Sequence, residues 1–236
     1  FNNDGLEKIS ERLQKNIPSG FLGINIGPNK DSKDRVEDYL KCLKEIHSFA
    51  SYITINISSP NTPGLRDFHS GSSLQNLLMN IKNFINKEKI TKPLALKISP
   101  DIIDTEISYV IESAKKFKIN AVIISNTTDK NRESLVGKNK NETGGLSGEP
   151  LSEISNNLIK KFYREIKNEI TIIGVGGVNS GLSAYEKLSA GASLVQLYTG
   201  MIYEGPGIVK KIKTELINIL EKEKIKNVRE IVGSGS

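Results

Sequence analysis

Short apolar runs alternate along this chain with longer stretches in which apolar residues recur at helical spacing, and this alternation limits the folds open to it. Such runs are typical of buried parallel strands, and the stretches between them are typical of helices that cover the sheet. We expect six strands, at Phe21–Ile26, Tyr52–Ile57, Leu94–Ile98, Ala121–Ile124, Thr171–Val175 and Leu194–Tyr198. The expected helices lie near residues 6–14, 34–50, 74–88, 104–118, 151–167, 181–190 and 207–222.

This order predicts an α/β protein, and more narrowly about six of the eight β/α units of a (β/α)8 TIM barrel, with the first two strands missing. Residues 1–229 are expected to form the partial barrel. Residues 230–236 end in Gly-Ser-Gly-Ser, which is typical of a flexible linker or an expression scar. The polar stretch at 129–143 is longer than a usual β/α loop and is predicted to be a mobile lid.

Composition excludes several classes of function. The 236 residues are 37% hydrophobic and 25% charged, as in an ordinary globular domain. The net charge of +6 comes from lysines scattered along helices, such as Lys210, Lys211, Lys213, Lys222 and Lys224. Because there is no focused basic stripe, no Trp and only 6% aromatic residues, we expect no binding of nucleic acid.

Cysteine and histidine usage argues against a metal site. Cys42 is the only cysteine, so no intrachain disulfide can form, and its helical neighbourhood predicts a core or boundary residue. His47 and His69 have no paired ligand at metal spacing and are expected to be structural or surface residues. The sequence also has no apolar run of membrane-spanning length and no signal peptide at its start, so a soluble chain is expected.

The most informative motif is NISSPNTPGLR at 56–66, directly after the second expected strand. It places two amides, two serine hydroxyls and an arginine at one end of a sheet, where α/β proteins carry their active sites. The alternative is an ordinary capped turn, since Asn, Ser and Pro are common turn residues.

Two further features indicate an anion site and a buried charge. Residues 174–181, GVGGVNSG, follow a strand and open a helix, where backbone N–H groups can hold a phosphate. The segment is not a dinucleotide fingerprint, because Asn179 stands where a third glycine is needed. Lys97 lies within an apolar strand, so it either faces the barrel interior with a functional partner or extends its ammonium to solvent.

Five segments together resemble dihydroorotate dehydrogenase, from Phe1 to about Ile219. They are NISSPNTPGLR, Ser-Asn-Thr-Thr at 125–128, TGGLSGEPL at 143–151, GVGGVNSG, and LVQLYTG at 194–200. Ser59 occupies the position at which the soluble branch has a cysteine base, so the chain is most similar to class 2, the quinone-linked branch. The resemblance implies oxidation of (S)-dihydroorotate to orotate in pyrimidine biosynthesis, with FMN as hydride acceptor and a quinone as final acceptor.

The resemblance also assigns site residues and a location. It implies Ser59 as the base, Thr62 as a candidate proton relay and Lys97 as the cation beside the flavin. Substrate contacts are implied for Phe1, Asn2, Asn56, Asn61, Asn126 and Thr127. FMN contacts are implied for Asn25, Asn56, Lys97, Ser125, Gly148, Gly176, Gly177, Tyr198 and Thr199. Peripheral association with the cytoplasmic face of a bacterial inner membrane is implied through an N-terminal segment absent here.

Two other functions stay open at this point. The first is a non-catalytic barrel fragment that binds FMN or phosphate, because part of the family's substrate pocket and quinone tunnel is missing from the sequence. The second is a phosphate-binding barrel of the aldolase or isomerase kind, which shares the glycine segments but not NISSPNTPGLR.

Overall fold

A computed structural model describes residues 3–130, 132–133 and 135–236, and it contains one parallel sheet of six strands in chain order. The strands are β1 (Gly23–Ile26), β2 (Tyr52–Asn56), β3 (Leu94–Ile98), β4 (Ala121–Ile124), β5 (Thr171–Val175) and β6 (Leu194–Gln196). The helices are α1 (Leu6–Lys15), α2 (Arg35–Ile46), α3 (Gly71–Glu88), α4 (Asp104–Lys116), α5 (Ser152–Ile166), α6 (Gly181–Ser189), α7 (Thr199–Glu204) and α8 (Ile208–Lys222). The six predicted strands are therefore confirmed in number and order.

The sheet is curled, with one face toward the helices and one toward the interior of a barrel. Alternate residues of β2, such as Ile53 and Ile55, are fully buried beneath the helices. Tyr52 points the other way and packs with Ala95, Ala121, Ile123 and Ile173 of the next three strands. The side-chain amide of Gln196 on β6 donates to the Tyr52 hydroxyl at 3.3 Å, so β2 and β6 approach each other across the interior. This arrangement confirms the partial (β/α)8 barrel.

The ends of several elements differ from the sequence predictions. β1 begins at Gly23, because Phe21 is 96% exposed and has no neighbouring strand. β6 ends at Gln196 because it pairs only with β5 in the described part of the chain, and the residues that follow turn into α7, which the sequence did not predict. Residues 228–231 form a short 3-10 turn, and the backbone N–H groups of Gly233 and Gly235 donate to carbonyls at the end of α6.

Several predictions about single residues are confirmed. Cys42 is half-buried against the core, and burial raises the pKa of its thiol to about 11. His69 is buried and structural. The five lysines named above near the C-terminus are all exposed. Among the described residues, no helix has both the length and the apolar character that crossing a membrane requires.

Lys187 on α6 differs from these solvated lysines, because it is fully buried between α5, α6 and β5. Its Nζ donates to the Asn156 side-chain oxygen on α5 at 2.8 Å, and its stem packs against Gly174 of β5. Burial lowers the pKa of its ammonium from 10.5 to about 8. The stem therefore fills the helix–sheet interface, while the charge opposes folding.

We expect Lys187→Met to weaken the pH dependence of stability. The unfolded chain keeps this proton up to about pH 10.5 and the folded chain releases it near pH 8, so the free energy of unfolding rises with pH between those values. The rise from this group is about 3 kcal/mol, at about 1.4 kcal/mol per pKa unit. Denaturant unfolding on either side of the window tests this. If the free energy of unfolding of Lys187→Met rises with pH as much as that of the wild type, the prediction is wrong. Lys160→Met on α5 is the control and should keep the wild-type rise.

Candidate active site

The segments singled out in the sequence converge at one edge of the sheet. Because all six strands are parallel, the residues that follow them emerge at the same, carboxyl-terminal edge. NISSPNTPGLR follows β2, Ser125 to Thr128 follow β4, the glycine segment follows β5, and Tyr198 and Thr199 follow β6. This edge is where β/α barrels carry their active sites.

Two predicted substrate amides, Asn56 and Asn126, lie side by side. The Asn126 amide nitrogen donates to the Ser58 hydroxyl at 3.0 Å and lies 3.4 Å from the Asn56 side-chain oxygen. Ser58 is fully buried, and its hydroxyl donates to that same Asn56 oxygen at 2.9 Å. The Asn126 oxygen accepts from the Thr127 backbone N–H at 2.8 Å. Ser58, which sequence reasoning did not assign, thus orients both amides.

Ser59 and Thr62, the predicted base and relay, lie on the same loop and are both half-buried. The Ser59 hydroxyl accepts from the Asn61 backbone N–H at 3.3 Å, which leaves its own proton available to another acceptor. Asn61 is exposed. Thr62 accepts through its carbonyl oxygen from the Leu65 N–H at 3.1 Å. A Ser59–Thr62 relay stays a prediction.

Lys97 lies on the inner face of β3, two residues beyond Ala95. Its neighbours in register are Asn56 on β2 and Ile123 on β4. Burial lowers the pKa of its ammonium, and within the described part of the chain it makes no ion pair or hydrogen bond. A half-buried cation without a protein partner is suited to a ligand that carries or develops negative charge.

Three loops meet around the predicted phosphate site. The Thr199 hydroxyl donates to that of Ser147 at 3.0 Å, and a Cβ on Gly148 would lie 3.0 Å from the Thr199 methyl group. Gly176 and Gly177 both have positive φ, and a Cβ on Gly177 would lie 2.6 Å from that of Ser152. Tyr198 precedes α7 and is 53% exposed. Glycine is therefore required at 177, where the backbone passes close to α5.

The remaining predicted contacts of FMN and substrate are Asn25, Ser125, Phe1 and Asn2. Asn25 is exposed on β1, in register with Thr54 of β2. Ser125 is buried, with its N–H donating to the Val175 carbonyl at 3.1 Å and its hydroxyl to the Asn126 carbonyl at 3.1 Å. Phe1 and Asn2 lie outside the described residues.

Arg66 is the central residue of a network that sequence reasoning missed. Its guanidinium pairs with Asp101 at 3.1 Å and with Asp129 at 2.9 Å, and it donates to the Thr127 carbonyl at 3.3 Å. Asp101 in turn accepts from the Thr128 hydroxyl and from the Asp129 N–H. The loops after β2, β3 and β4 are thereby joined.

His69 is buried and connects the loop after β2 to the loop after β3. One ring nitrogen, Nδ1, lies 2.8 Å from the Arg66 carbonyl oxygen, and Nε2 accepts from the Ser99 backbone N–H at 3.2 Å. Burial lowers the pKa of the imidazole, which favours the neutral ring with its proton on Nδ1. His69 therefore supports the backbone on which Arg66 lies.

Comparison with known proteins agrees with this arrangement. The family model described as dihydroorotate dehydrogenase matches residues 1–220. A protein of Idiomarina loihiensis named dihydroorotate dehydrogenase (quinone) is 43% identical over 222 residues, which is 92% of this chain and 66% of that protein. One of the same name from Vibrio cholerae is 48% identical over 223 residues, again 92% and 66%. The chain thus spans just under two thirds of these relatives.

Solved structures give the same result. A crystal structure of ligand-free DHODH from Eimeria tenella matches with a TM-score of 0.90 and 34% sequence identity, covering 99% of this chain and 72% of that one. A complex of Eimeria tenella DHODH with ferulenol matches with a TM-score of 0.87 and 35% identity, covering 97% and 66%. With its motifs gathered at one sheet edge and its sequence and fold matched over most of its length, the chain belongs to the dihydroorotate dehydrogenase family.

Proposed function

We propose that this chain is the FMN-binding catalytic part of a quinone-linked dihydroorotate dehydrogenase. The observation that carries the proposal is the grouping at the carboxyl edge of the sheet of Ser59, the Asn56–Asn126 pair and Lys97, whose ammonium has no partner among the residues described. These groups are the base, the ring-binding amides and the cation that removal of a proton and a hydride from adjacent carbons requires.

The residues present fit FMN. Gly176 and Gly177 follow β5, and within the described residues their N–H groups donate to no acceptor, so they are available to a phosphate. A side chain at 177 would occupy space that is already filled by Ser152. Thr199 and Gly148 would complete the phosphate site, and Lys97 on the inner face of β3, Asn25 on β1 and Ser125 directly after β4 would contact the flavin. FMN would supply the hydride acceptor.

The side chains would bind the substrate ring and accept its proton. Asn56 and Asn126 each offer a donor and an acceptor, which suits the alternating carbonyl and N–H edge of a pyrimidine ring. Asn61 and Thr127 extend that edge on the loops beside it. Ser59 accepts the proton, and because a neutral hydroxyl is a weak base, it must release its own proton as it does so. Thr62 is the proposed next acceptor.

The final electron acceptor is proposed to be a quinone. The support is the name of the relatives, dihydroorotate dehydrogenase (quinone), and the serine at position 59. Peripheral association with the cytoplasmic face of a bacterial inner membrane, through a segment outside this chain, belongs to the same proposal.

Anaerobic addition of dihydroorotate to the purified chain, loaded with FMN, tests the function. We expect the visible flavin absorption to bleach as the flavin is reduced, and orotate to form in equal amount. Lactate serves as a control acid that lacks the pyrimidine ring and should leave the spectrum unchanged.

Two outcomes contradict the proposal. A flavin that binds but is not reduced by dihydroorotate favours a barrel that binds FMN without catalysing this reaction. A chain that binds phosphate esters but no flavin favours a different phosphate-binding barrel.

A further inference from the structure

We infer that Arg66 and Asp101 are positioning residues that clamp the Ser59 loop onto the loop that carries Asn126 and Thr127. The inference rests on the proposed function for its chemical meaning, since it specifies what holds the proposed base and the proposed ring-binding amides in one arrangement. Neither residue is assigned a contact with substrate or cofactor.

Arg66 joins the loop after β2 to the loops after β3 and β4. Its side chain is 26% exposed, and that of Asp101 is 9% exposed, so this ion pair is shielded far better than the exposed pairs elsewhere in the chain. Arg66 lies eight residues beyond Ser58, and its Nε is 3.5 Å from the Ser58 carbonyl oxygen. One planar guanidinium thus reaches the backbone of the loop after β2 and that of the loop after β4.

Asp101 joins the loop after β3 to the loop after β4. One carboxylate oxygen accepts from the Thr128 hydroxyl, and the other lies 3.3 Å from the Asp129 backbone nitrogen. Thr128 is fully buried, and its hydroxyl oxygen also accepts from the Lys130 N–H at 3.0 Å. Asp101 therefore holds Thr128 and Asp129 in place, just beyond Asn126 and at the start of the 129–143 segment.

The proposed base and the two amides lie on separate segments of the chain, which these contacts join. Asn56 ends β2 and Asn126 lies in the loop after β4, and the Ser59 hydroxyl lies on a turn where it accepts from the nearby Asn61 N–H. Without the clamp, the Ser59 turn and the loop after β4 are joined mainly through the Asn126–Ser58 contact. Displacement of a reacting group by about 1 Å can lower a rate about 100-fold.

The test compares Arg66→Ala, Arg66→Lys and Asp101→Asn in the FMN-loaded chain. For Arg66→Ala we expect the rate constant of flavin reduction by dihydroorotate to fall about 10- to 100-fold, while the Kd for orotate rises only about threefold. Arg66→Lys, which keeps the charge for Asp101 but not the planar fork, should be intermediate. Arg164→Ala and Glu169→Gln, which remove exposed charges at the opposite, amino-terminal edge of the sheet just before β5, are the matched controls and should leave both values unchanged.

Hydrogen–deuterium exchange separates this inference from the proposed function. In Arg66→Ala and Asp101→Asn, but not in the controls, amide exchange should accelerate in peptides covering residues 58–64 and 127–130, whether or not the wild-type flavin is reduced. Failure of the wild-type chain to reduce flavin defeats the proposed function alone. Unchanged exchange at both loops, or an active wild type whose flavin-reduction rate Arg66→Ala retains, overturns the clamp.

Discussion

Replacement of Ser59 by alanine is expected to slow flavin reduction by dihydroorotate by about 10²- to 10⁴-fold, the usual contribution of a positioned general base. The substitution removes the hydroxyl that is proposed to accept the proton from dihydroorotate. It also removes one local hydrogen bond, to the Asn61 N–H, so the free energy of unfolding should fall by only about 1 kcal/mol. Stopped-flow absorbance under anaerobic conditions measures the rate.

The comparison variants make this result specific. Ser59→Cys places at this position the base of the soluble branch and should retain more activity than alanine, with a rate that depends on ionisation of the thiol. Ser72→Ala removes an exposed serine from α3 and should change nothing. Unchanged dihydroorotate oxidation by purified Ser59→Ala protein would exclude Ser59 as the base.

Replacement of Lys97 by methionine is expected to produce the second large effect, a fall of about 10²- to 10³-fold in the rate of flavin reduction. Methionine keeps the length and apolar character of the stem but removes the charge that would stabilise an electron-rich flavin. The flavin midpoint potential should therefore become more negative, and a reductive titration with a reference dye measures that directly.

Stability should move in the opposite direction in the same variant. Burial lowers the pKa of the Lys97 ammonium, and the described residues offer it no partner, so removing the charge should leave the apo chain as stable or more stable. Lys82→Met is the matched control, because the pKa of Lys82 is also lowered by burial, but Lys82 lies on α3 and donates to the Lys118 carbonyl. A Lys97→Met protein with an unchanged flavin potential contradicts the assigned role.

The strands and most helices could be predicted from the sequence because their signal is local. Runs such as Leu94–Ile98 combine β-branched or apolar residues with a length that suits a buried strand. Helix α2 begins directly after Asp34, whose side chain caps it by accepting from the Glu37 N–H at 3.0 Å. Short α7 gave no such signal, because six residues are too few for a helical period to be recognised.

Site residues could be predicted from the sequence only where they belong to a recognisable motif. Asn56 and Asn126 could be assigned in advance as substrate contacts because both belong to segments that resemble the family. The Arg66–Asp101 pair could not, since its members are 35 positions apart in sequence and neither residue type is unusual after a strand. Lys187 looked like any surface lysine on an amphipathic helix, and only packing of α6 against β5 reveals its burial.

A crystal structure of the purified chain with FMN and orotate tests the central claim most directly. We predict orotate held by the amides of Asn56 and Asn126, with the Ser59 hydroxyl on one side of its ring and the flavin on the other, and with the Lys97 ammonium against the flavin. Ser59 and Lys97 directed into separate cavities, or a prosthetic group other than a flavin between them, would contradict it.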